Sequence, residues 1–358
     1  YVDFLRDDTI VMVLSDNGAS AEGAGEGRLN SFGYVNGAPD SVPEMRQHLE
    51  DWGAPHTHPH YASGWAMAGN TPNRMYKSFV HEGGTRDPLI VSWPKRITDH
   101  GAIRPQFHHI VDIVPTVMEA IGLDWPDSVR GHAQRPVEGT SMLYSFNDAK
   151  APERHDVQYF EIMGNRGIYY KGWSAVTKHY TPWIQTKRPA FDDDVWELYD
   201  GSKDWTQAND LAKQMPEKLH ELQRQWLIEA ARYKVLPLDD RLFEKLNPDL
   251  AGRPVLIKGK TQLLVGGMGR LSENCVLNIK NKSHSITAEI VVPEKGAQGV
   301  IVCQGANIGG WTLYAHNGKL KYCYNWGGFK LFFGESAAAL PAGQHQVRME
   351  VAYAGGGL

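Results

Sequence analysis

Residues 9–18 read TIVMVLSDNG: an apolar, β-branched run from Thr9 to Leu14 that meets Ser15-Asp16-Asn17-Gly18 with no spacer. The run does not alternate, which predicts a strand covered on both faces, as in a parallel sheet flanked by helices. In such α/β layers ligands gather just past the carboxyl ends of the strands, the position that Asp16 and Asn17 occupy. A carboxylate beside a side-chain amide oxygen is a pair of hard donors, suited to Ca²⁺ or Mg²⁺ rather than zinc. Asp-Asn-Gly is equally a strong turn former. On spacing alone both readings stand.

Downstream, residues 18–64 are rich in Gly, Pro, Asn and His and poor in periodicity. So long an irregular stretch inside a compact domain points to function. Within it His56, His58 and His60 alternate in HTHPHY. An extended backbone would turn all three to one face, as a transition metal could use. Solvated or hydrogen-bonded histidines are the plainer reading of a Pro-bearing loop, with one of them lining a substrate mouth. Residues 70–94, NTPNRMYKSFVHEGGTRDPLIVSWP, follow. Asn70 or Thr71 is expected to cap a helix with Pro72 at its first position. Lys77 then falls on or just after that turn, and Gly83-Gly84 let the backbone bend into a second buried strand, Pro88 to Trp93. A lysine beside a divalent metal is the compact, mobile charge that an anionic oxygen requires; by itself it reads as a solvated surface lysine.

Asp112 to Leu123 predicts a short amphipathic helix with Pro115 near its start and Gly122 near its end. His108-His109 before it reads as packing. From about residue 155, VQYFEI, GIYYKGWSAVT and VWELYD predict an antiparallel subsheet, and Asp192-Asp193-Asp194 a solvated turn. Pro216 opens a helix with Leu219, Leu222, Trp226 and Ala230 three or four apart. Three prolines in 234–254 mark a connector. Beyond it the chain is all β in character, with Asn317-Gly318 between alternating aromatic strands as the hairpin signal and further strands at sandwich-like spacing. Trp311, Tyr314, Tyr322, Tyr324 and Trp326 read mostly as core, a carbohydrate-stacking patch being the lesser reading.

A length of 358 residues allows one large or two ordinary domains. The domains are placed at 1–150 (the C-terminal part of an α/β domain), 151–235 (antiparallel subsheet plus helix), 236–254 (linker) and 255–358 (a β-sandwich-like tail, read as truncated). A net charge of −4 gives no reason to expect nucleic acid or a polybasic membrane contact as partner. No apolar run approaches the roughly 20 residues of a spanning helix. Cys275, Cys303 and Cys323 form no disulfide framework; buried free thiols are expected, with one bridged pair the alternative. The opening YVDFLRDD lacks an initiator Met and reads as the continuation of a longer chain, so compartment and oligomeric state stay open.

Four blocks in order carry a resemblance: LSDNG after a buried strand, Lys77 five residues ahead of EGG-x-R-x-P, HHIVDIVPTVMEAIGL (108–123) and WELYDGSKDWTQANDLA (196–212). Together they resemble the arylsulfatase-like sulfatases of the alkaline-phosphatase superfamily. The resemblance implies part of an alkaline-phosphatase-like mixed sheet with helices on both faces, a small antiparallel subdomain and a C-terminal all-β sandwich. It implies that Asp16 and Asn17 are two metal ligands, for Ca²⁺ or alternatively Mg²⁺, and that Lys77 binds a sulfate oxygen. Glu82 and Arg86 would hold the Lys77 loop on the sheet, and Asp112 and Pro115 would be scaffold. The implied activity is metal-assisted hydrolysis of a small-molecule or sugar sulfate ester by a formylglycine nucleophile. That nucleophile arises from C/S-x-P/A-x-R, and no cysteine here is followed by that pattern. Ser41-Val42-Pro43-Glu44-Met45-Arg46 comes close, but its arginine is one residue late. The chain alone is therefore expected to be inactive and, with two donors, to bind Ca²⁺ weakly or not at all. The competing readings are a phosphodiesterase or phosphonate hydrolase of the same superfamily, and a non-catalytic carbohydrate-binding protein on this scaffold.

Overall fold

The computed structural model describes residues 7–35, 39–184, 187–246, 248–306, 309–328 and 330–355. The opening residues 1–6 and the closing 356–358, where the chain was read as cut, lie outside them. The architecture mixes helices and sheets, with an antiparallel C-terminal region. Two compact units are present: residues 1–28 with 60–240, and residues 29–59 with 241–358.

In the first unit, β1 (Val11–Leu14) pairs antiparallel with β2 (Leu89–Ser92), Val11 opposite Ser92 and Leu14 opposite Leu89. The unbroken apolar run pointed instead to a parallel strand covered on both faces. Among the described residues β1 has no strand neighbour except β2, so Val13 and Ile90 stay 58% and 63% exposed. Their alternates, Met12 and Val91, pack on a buried cluster of Trp93, Ala120, Met142 and Phe146. Ala120 belongs to α2 (Ile113–Ile121), which ends at Gly122 with φ 67, the left-handed C-cap. Before α2 comes α1 (Ser63–Gly69), and a small hairpin, β3 (Ser128–Val129) with β4 (His132–Ala133), follows it.

The antiparallel subsheet is a four-stranded meander: β5 (Val157–Ile162), β6 (Asn165–Tyr170), β7 (Trp173–Thr177) and β8 (Trp196–Asp200). The predicted helix is α3 (Pro216–Arg232). Its Leu222, Trp226 and Ala230 close the core with Ile168, Ala175 and Leu198, and the Trp226 indole N–H donates to Phe160 O at 3.2 Å. The acidic turn at 192–194 divides. Asp192 and Asp193 are exposed, but the Asp194 side chain is 2% exposed and accepts from His179 Nδ1 at 2.8 Å and from Arg166. The guanidinium of Arg166, stacked among Phe191, Trp196 and Trp226, needs a buried counter-charge, and Asp194 supplies it.

In the second unit the described residues of 29–59 form turns, short helices and an isolated bridge between Asn30 and His58. There the Ser41 hydroxyl accepts the Glu44 N–H and the Glu44 carboxylate accepts the Ser41 N–H, opening a helix at Val42–Gln47. The near-match to a nucleophile motif is thus a capping box. In its C-terminal part β9 (His284–Val292) pairs with β14 (Gly343–Val351). Beside this pair, β10 (Gly299–Ala306), β11 (Gly309–His316), β12 (Lys319–Trp326) and β13 (Lys330–Glu335) form a four-stranded meander. Asn317 and Gly318, at φ 51 and 72, make the expected hairpin turn. All three cysteines are free, and Cys303 is exposed rather than buried. Cys303 and Cys323 face Thr312 from opposite sides, about 9.6 Å apart by strand spacing, too far to bridge.

Asp112 organises the first unit. With no exposed surface, its carboxylate accepts from His109 N at 2.8 Å, Thr140 N at 2.7 Å and His155 Nδ1 at 2.8 Å. Burial, the largest influence, pushes its pKa up, but these bonds and the His155 charge more than reverse that and lower it. Burial likewise opposes charge on His155, yet the bond to Asp112 raises its pKa. The Asp112 contribution is therefore full above the ordinary carboxylate range and lost as pH falls through its lowered value. That of His155 is full below about 6.5 and lost as pH rises through its raised value. Asp112→Asn is expected to destabilise by about 3 kcal/mol, read from the urea midpoint. It should also flatten the alkaline fall in stability that the parent shows.

Candidate functional site

Ser15 to Gly18 bend directly off β1. The Ser15 N–H donates to Pro88 O at 3.3 Å and its hydroxyl to Asn17 O at 3.1 Å. Asp16 is exposed and Asn17 half-buried. Gly18 admits no side chain, because a Cβ there would sit 1.8 Å from Gly83 O. Asn70 explains that contact. It is the C-cap of α1, not the start of a new helix. Its side-chain oxygen accepts the Ala19 N–H at 3.1 Å, while its amide donates to Met75 O at 3.0 Å and Gly83 O at 2.7 Å. The Lys77 N–H donates to Ala19 O at 3.1 Å. The turn bearing Asp16 and Asn17 and the loop bearing Lys77 are one hydrogen-bonded structure.

No helix follows Pro72, contrary to the capping pattern. Met75 and Ser78, flanking Lys77, sit at φ 66 and 77, a conformation no right-handed helix admits and one that costs non-glycine residues roughly 1–3 kcal/mol each. The loop closes on itself through the Gly83 N–H to Arg74 O at 2.7 Å. A Cβ on Gly83 would meet Met75 O at 2.2 Å and one on Gly84 would meet Phe79 O at 2.1 Å. These glycines serve close approach to the loop rather than a bend into β2.

The far side of the loop rests on the ELYD block. Glu197 accepts from Arg74 Nη1 at 2.9 Å, from the Tyr199 hydroxyl and from His81 Nε2 at 3.4 Å. Burial alone would raise the Glu197 pKa and is the largest single influence. Bonds from His81 and Tyr199, with the charges of His81 and Arg74, bring it instead to about 2. Gln207 accepts the Glu82 N–H at 2.9 Å, and the wholly buried Asn165 donates to Ser78 O at 2.8 Å. Glu82 and Arg86 stand 3.5 Å apart, with Arg86 over the Trp205 ring.

The Lys77 ammonium lies 2.7 Å from Glu22 Oε1, and Glu22 Oε2 lies 3.5 Å from His60 Nε2. His60 is thus the histidine of HTHPHY beside the lysine. His56 faces Asp51 at 3.6 Å and His58 stacks edge-on with Phe32. Among the described residues no group of three or more His, Cys, Asp or Glu could hold a metal ion. Asp16 and Asn17 fit Ca²⁺ or Mg²⁺ in kind but not in number. Sequence reasoning missed Asp87, whose carboxyl is raised by burial and then by the charge of Asp16. It also missed Glu22, Asn165 and Gln207, none of which carries a local pattern. A cleft of about 1550 Å³ opens at this end of β1, with Asp16 and Asp87 but neither Asn17 nor Lys77 in its walls. His108 and His109 pack as expected. His108 Nε2 meets the Ser145 hydroxyl at 3.2 Å, and burial, aided by His155, holds the His109 pKa down to about 4.

The family model for sulfatases matches residues 3–123, and that for the C-terminal part of N-sulphoglucosamine sulphohydrolase matches 73–230. An uncharacterized sulfatase of Schizosaccharomyces pombe is 30% identical over 247 residues, 67% of this chain and 42% of that protein. An arylsulfatase of Klebsiella aerogenes is 26% identical over 44% of this chain and 31% of its own length. An N-acetylglucosamine-6-O-sulfatase of Bacteroides thetaiotaomicron is 26% identical over 42% of this chain and 27% of its own. A solved structure from glycosaminoglycan metabolism in Bacteroides thetaiotaomicron aligns at 22% identity with a TM-score of 0.41, covering 65% of this chain and 41% of that one. The chain spans less than half the length of each of these relatives.

Glu197→Gln should loosen the Lys77 loop. A fully buried pair broken on one side costs ~3–5 kcal/mol. Arg74 keeps 38% of its side-chain surface, so about 2 kcal/mol is expected. Hydrogen exchange at the Gly83 and Phe79 amides reads it directly. Because the Glu197 pKa is lowered, its hold is full above the ordinary carboxylate range and lost as pH falls towards 2. Protection in the parent should therefore persist at about pH 4 and fail near 2.

Proposed function

This chain belongs to the sulfatase family, and we propose that the protein carrying it hydrolyses sulfate esters, sugar sulfates foremost, with Asp16 and Asn17 as two ligands of a Ca²⁺ or Mg²⁺ ion and Lys77 as the clamp on a sulfate oxygen. One observation carries the reading: the Lys77 N–H to Ala19 O bond, with Asn70 bridging Ala19 to Gly83, fixes the lysine loop to the turn that bears both oxygen donors. A hard-donor pair and a fixed cation at one strand end suit a tetrahedral dianionic centre. Sugar sulfates come first because a relative is named for N-acetylglucosamine 6-O-sulfate and the model over 73–230 for N-sulphoglucosamine.

In this reading the nucleophile is a formylglycine supplied from outside residues 1–358: no cysteine here opens the motif, and its serine form, Ser92-Trp93-Pro94-Lys95-Arg96, starts where Ser92 pairs with Val11, at the far end of β1 from Asp16. The metal, when bound, polarises the sulfate oxygens and lowers the barrier to attack at sulfur. Lys77 neutralises charge that grows on a sulfate oxygen. The residues of this chain complete a site; alone they hydrolyse nothing.

In the full-length protein, Lys77→Ala is expected to lower kcat/KM for p-nitrophenyl sulfate about 100-fold. An unchanged value would remove Lys77 from the site, and preferential turnover of bis(p-nitrophenyl) phosphate would make the protein a phosphodiesterase instead. Calorimetry of the isolated chain should show no saturable Ca²⁺ binding below roughly 1 mM. Tight stoichiometric binding would contradict the partial donor set.

A further inference from the structure

Lys77 has a fixed backbone but a four-carbon stem, and a stem of that length leaves its ammonium free to miss a sulfate oxygen by several ångströms. The structure gives that ammonium a partner. Glu22, on the turn that follows the metal-donor pair, sets Oε1 2.7 Å from Lys77 Nζ and turns Oε2 to His60 Nε2 at 3.5 Å. His60 is itself pinned, its N–H donating to Arg28 O at 2.9 Å and its carbonyl accepting the Arg28 N–H at 2.8 Å. The side chains of Glu22, His60 and Lys77 are 26, 31 and 33% exposed, so the group is half sunk in the protein and open on one side.

We propose that Glu22 is a positioning residue of the sulfate clamp, holding the Lys77 ammonium where a sulfate oxygen arrives while His60 holds Glu22. An ammonium has three donors. One is spent on Glu22, which leaves two for the ester sulfate, so the carboxylate steers the cation without being displaced. The arrangement also explains why an acidic residue stands beside a site for an anion. Its charge is matched by that of Lys77, while burial holds the His60 pKa down and leaves a neutral imidazole beside Glu22, and what remains for the substrate is the direction of the lysine. This inference rests on the sulfate-clamp reading of Lys77, and it adds a residue that acts through Lys77 rather than on substrate.

The test is a double-mutant cycle in the full-length protein, with p-nitrophenyl sulfate as probe. Glu22→Gln keeps the shape and removes the charge. It should lower kcat/KM about tenfold, chiefly through KM, and His60→Gln about threefold. In the Lys77→Ala background both effects should vanish to within about twofold, because nothing is left to position. Glu22→Asp should restore part of the loss. Losses that multiply, giving about a 1000-fold deficit in Glu22→Gln/Lys77→Ala, mean that Glu22 acts on the fold, and the proposal falls. A Glu22→Gln single variant within twofold of the parent, while Lys77→Ala is impaired, also overturns it and leaves the clamp intact. An unimpaired Lys77→Ala overturns the clamp itself.

Discussion

One carboxylate, that of Glu197, holds the Lys77 loop at both ends. Arg74 enters the loop and His81 leaves it, and both point back to the same oxygen, joined there by the Tyr199 hydroxyl. Exposed pairs of this kind are worth little. Here His81 has no exposed surface, so the interaction works in a poorly solvated setting where losing one partner strands the others. The arrangement gives physical content to the four sequence blocks. The block at 196–212 supplies Glu197, Tyr199 and Gln207, the block around Lys77 supplies what they grip, and the DNG turn lies against the opposite side of that loop through Gly18 and Gly83. In this chain each of these three is a surface on which the next is built.

An irregular loop has no ladder to satisfy its backbone, and buried backbone groups must find partners elsewhere. Three side-chain amides do this. Asn70 takes Ala19 N and gives to Met75 O and Gly83 O, Asn165 gives to Ser78 O, and Gln207 takes Glu82 N. With those groups paired, the chain can keep Met75 and Ser78 at positive φ on either side of Lys77. Strain maintained by surrounding bonds is the usual way a single side chain is held in one orientation. The glycine pair at 83–84 belongs to the same device, since any side chain there would push the loop away.

What was legible in the sequence was local. The Asn317-Gly318 turn, the three-and-four spacing of Leu219, Leu222, Trp226 and Ala230, and the αL cap at Gly122 each depend on a few neighbouring residues, and each is found. The capping logic of Asn70-Thr71-Pro72 was also local, and there it failed. Asn70 answers to Ala19 and Gly83, 51 and 13 residues away, and those bonds outweigh a helix start. Asp194 misled for the same reason: three adjacent acids look solvated until Arg166 arrives from β6 and His179 from the segment after β7. Glu22 and Asp87 gave no signal at all, being ordinary acids whose partners are brought by the fold. β1 shows the limit of composition. Its apolar run says that both faces want cover, and says nothing about which element supplies it.

The two sides of the half-site therefore differ in kind. On the lysine side, every fixing bond lies within residues 19–207 and needs no ion: Glu22 and His60 meet the ammonium, and Asn70, Asn165 and Glu197 meet the loop. On the donor side, Asp16 is exposed, and its charge adds to burial in raising the pKa of Asp87. Two carboxylates without a cation repel, and a divalent ion reverses that sign. On the reading proposed for the site, the anion meets the oriented lysine and the metal side is left to further ligands. The lysine already has its counter-charge in Glu22, whereas between Asp16 and Asp87 like charge faces like charge.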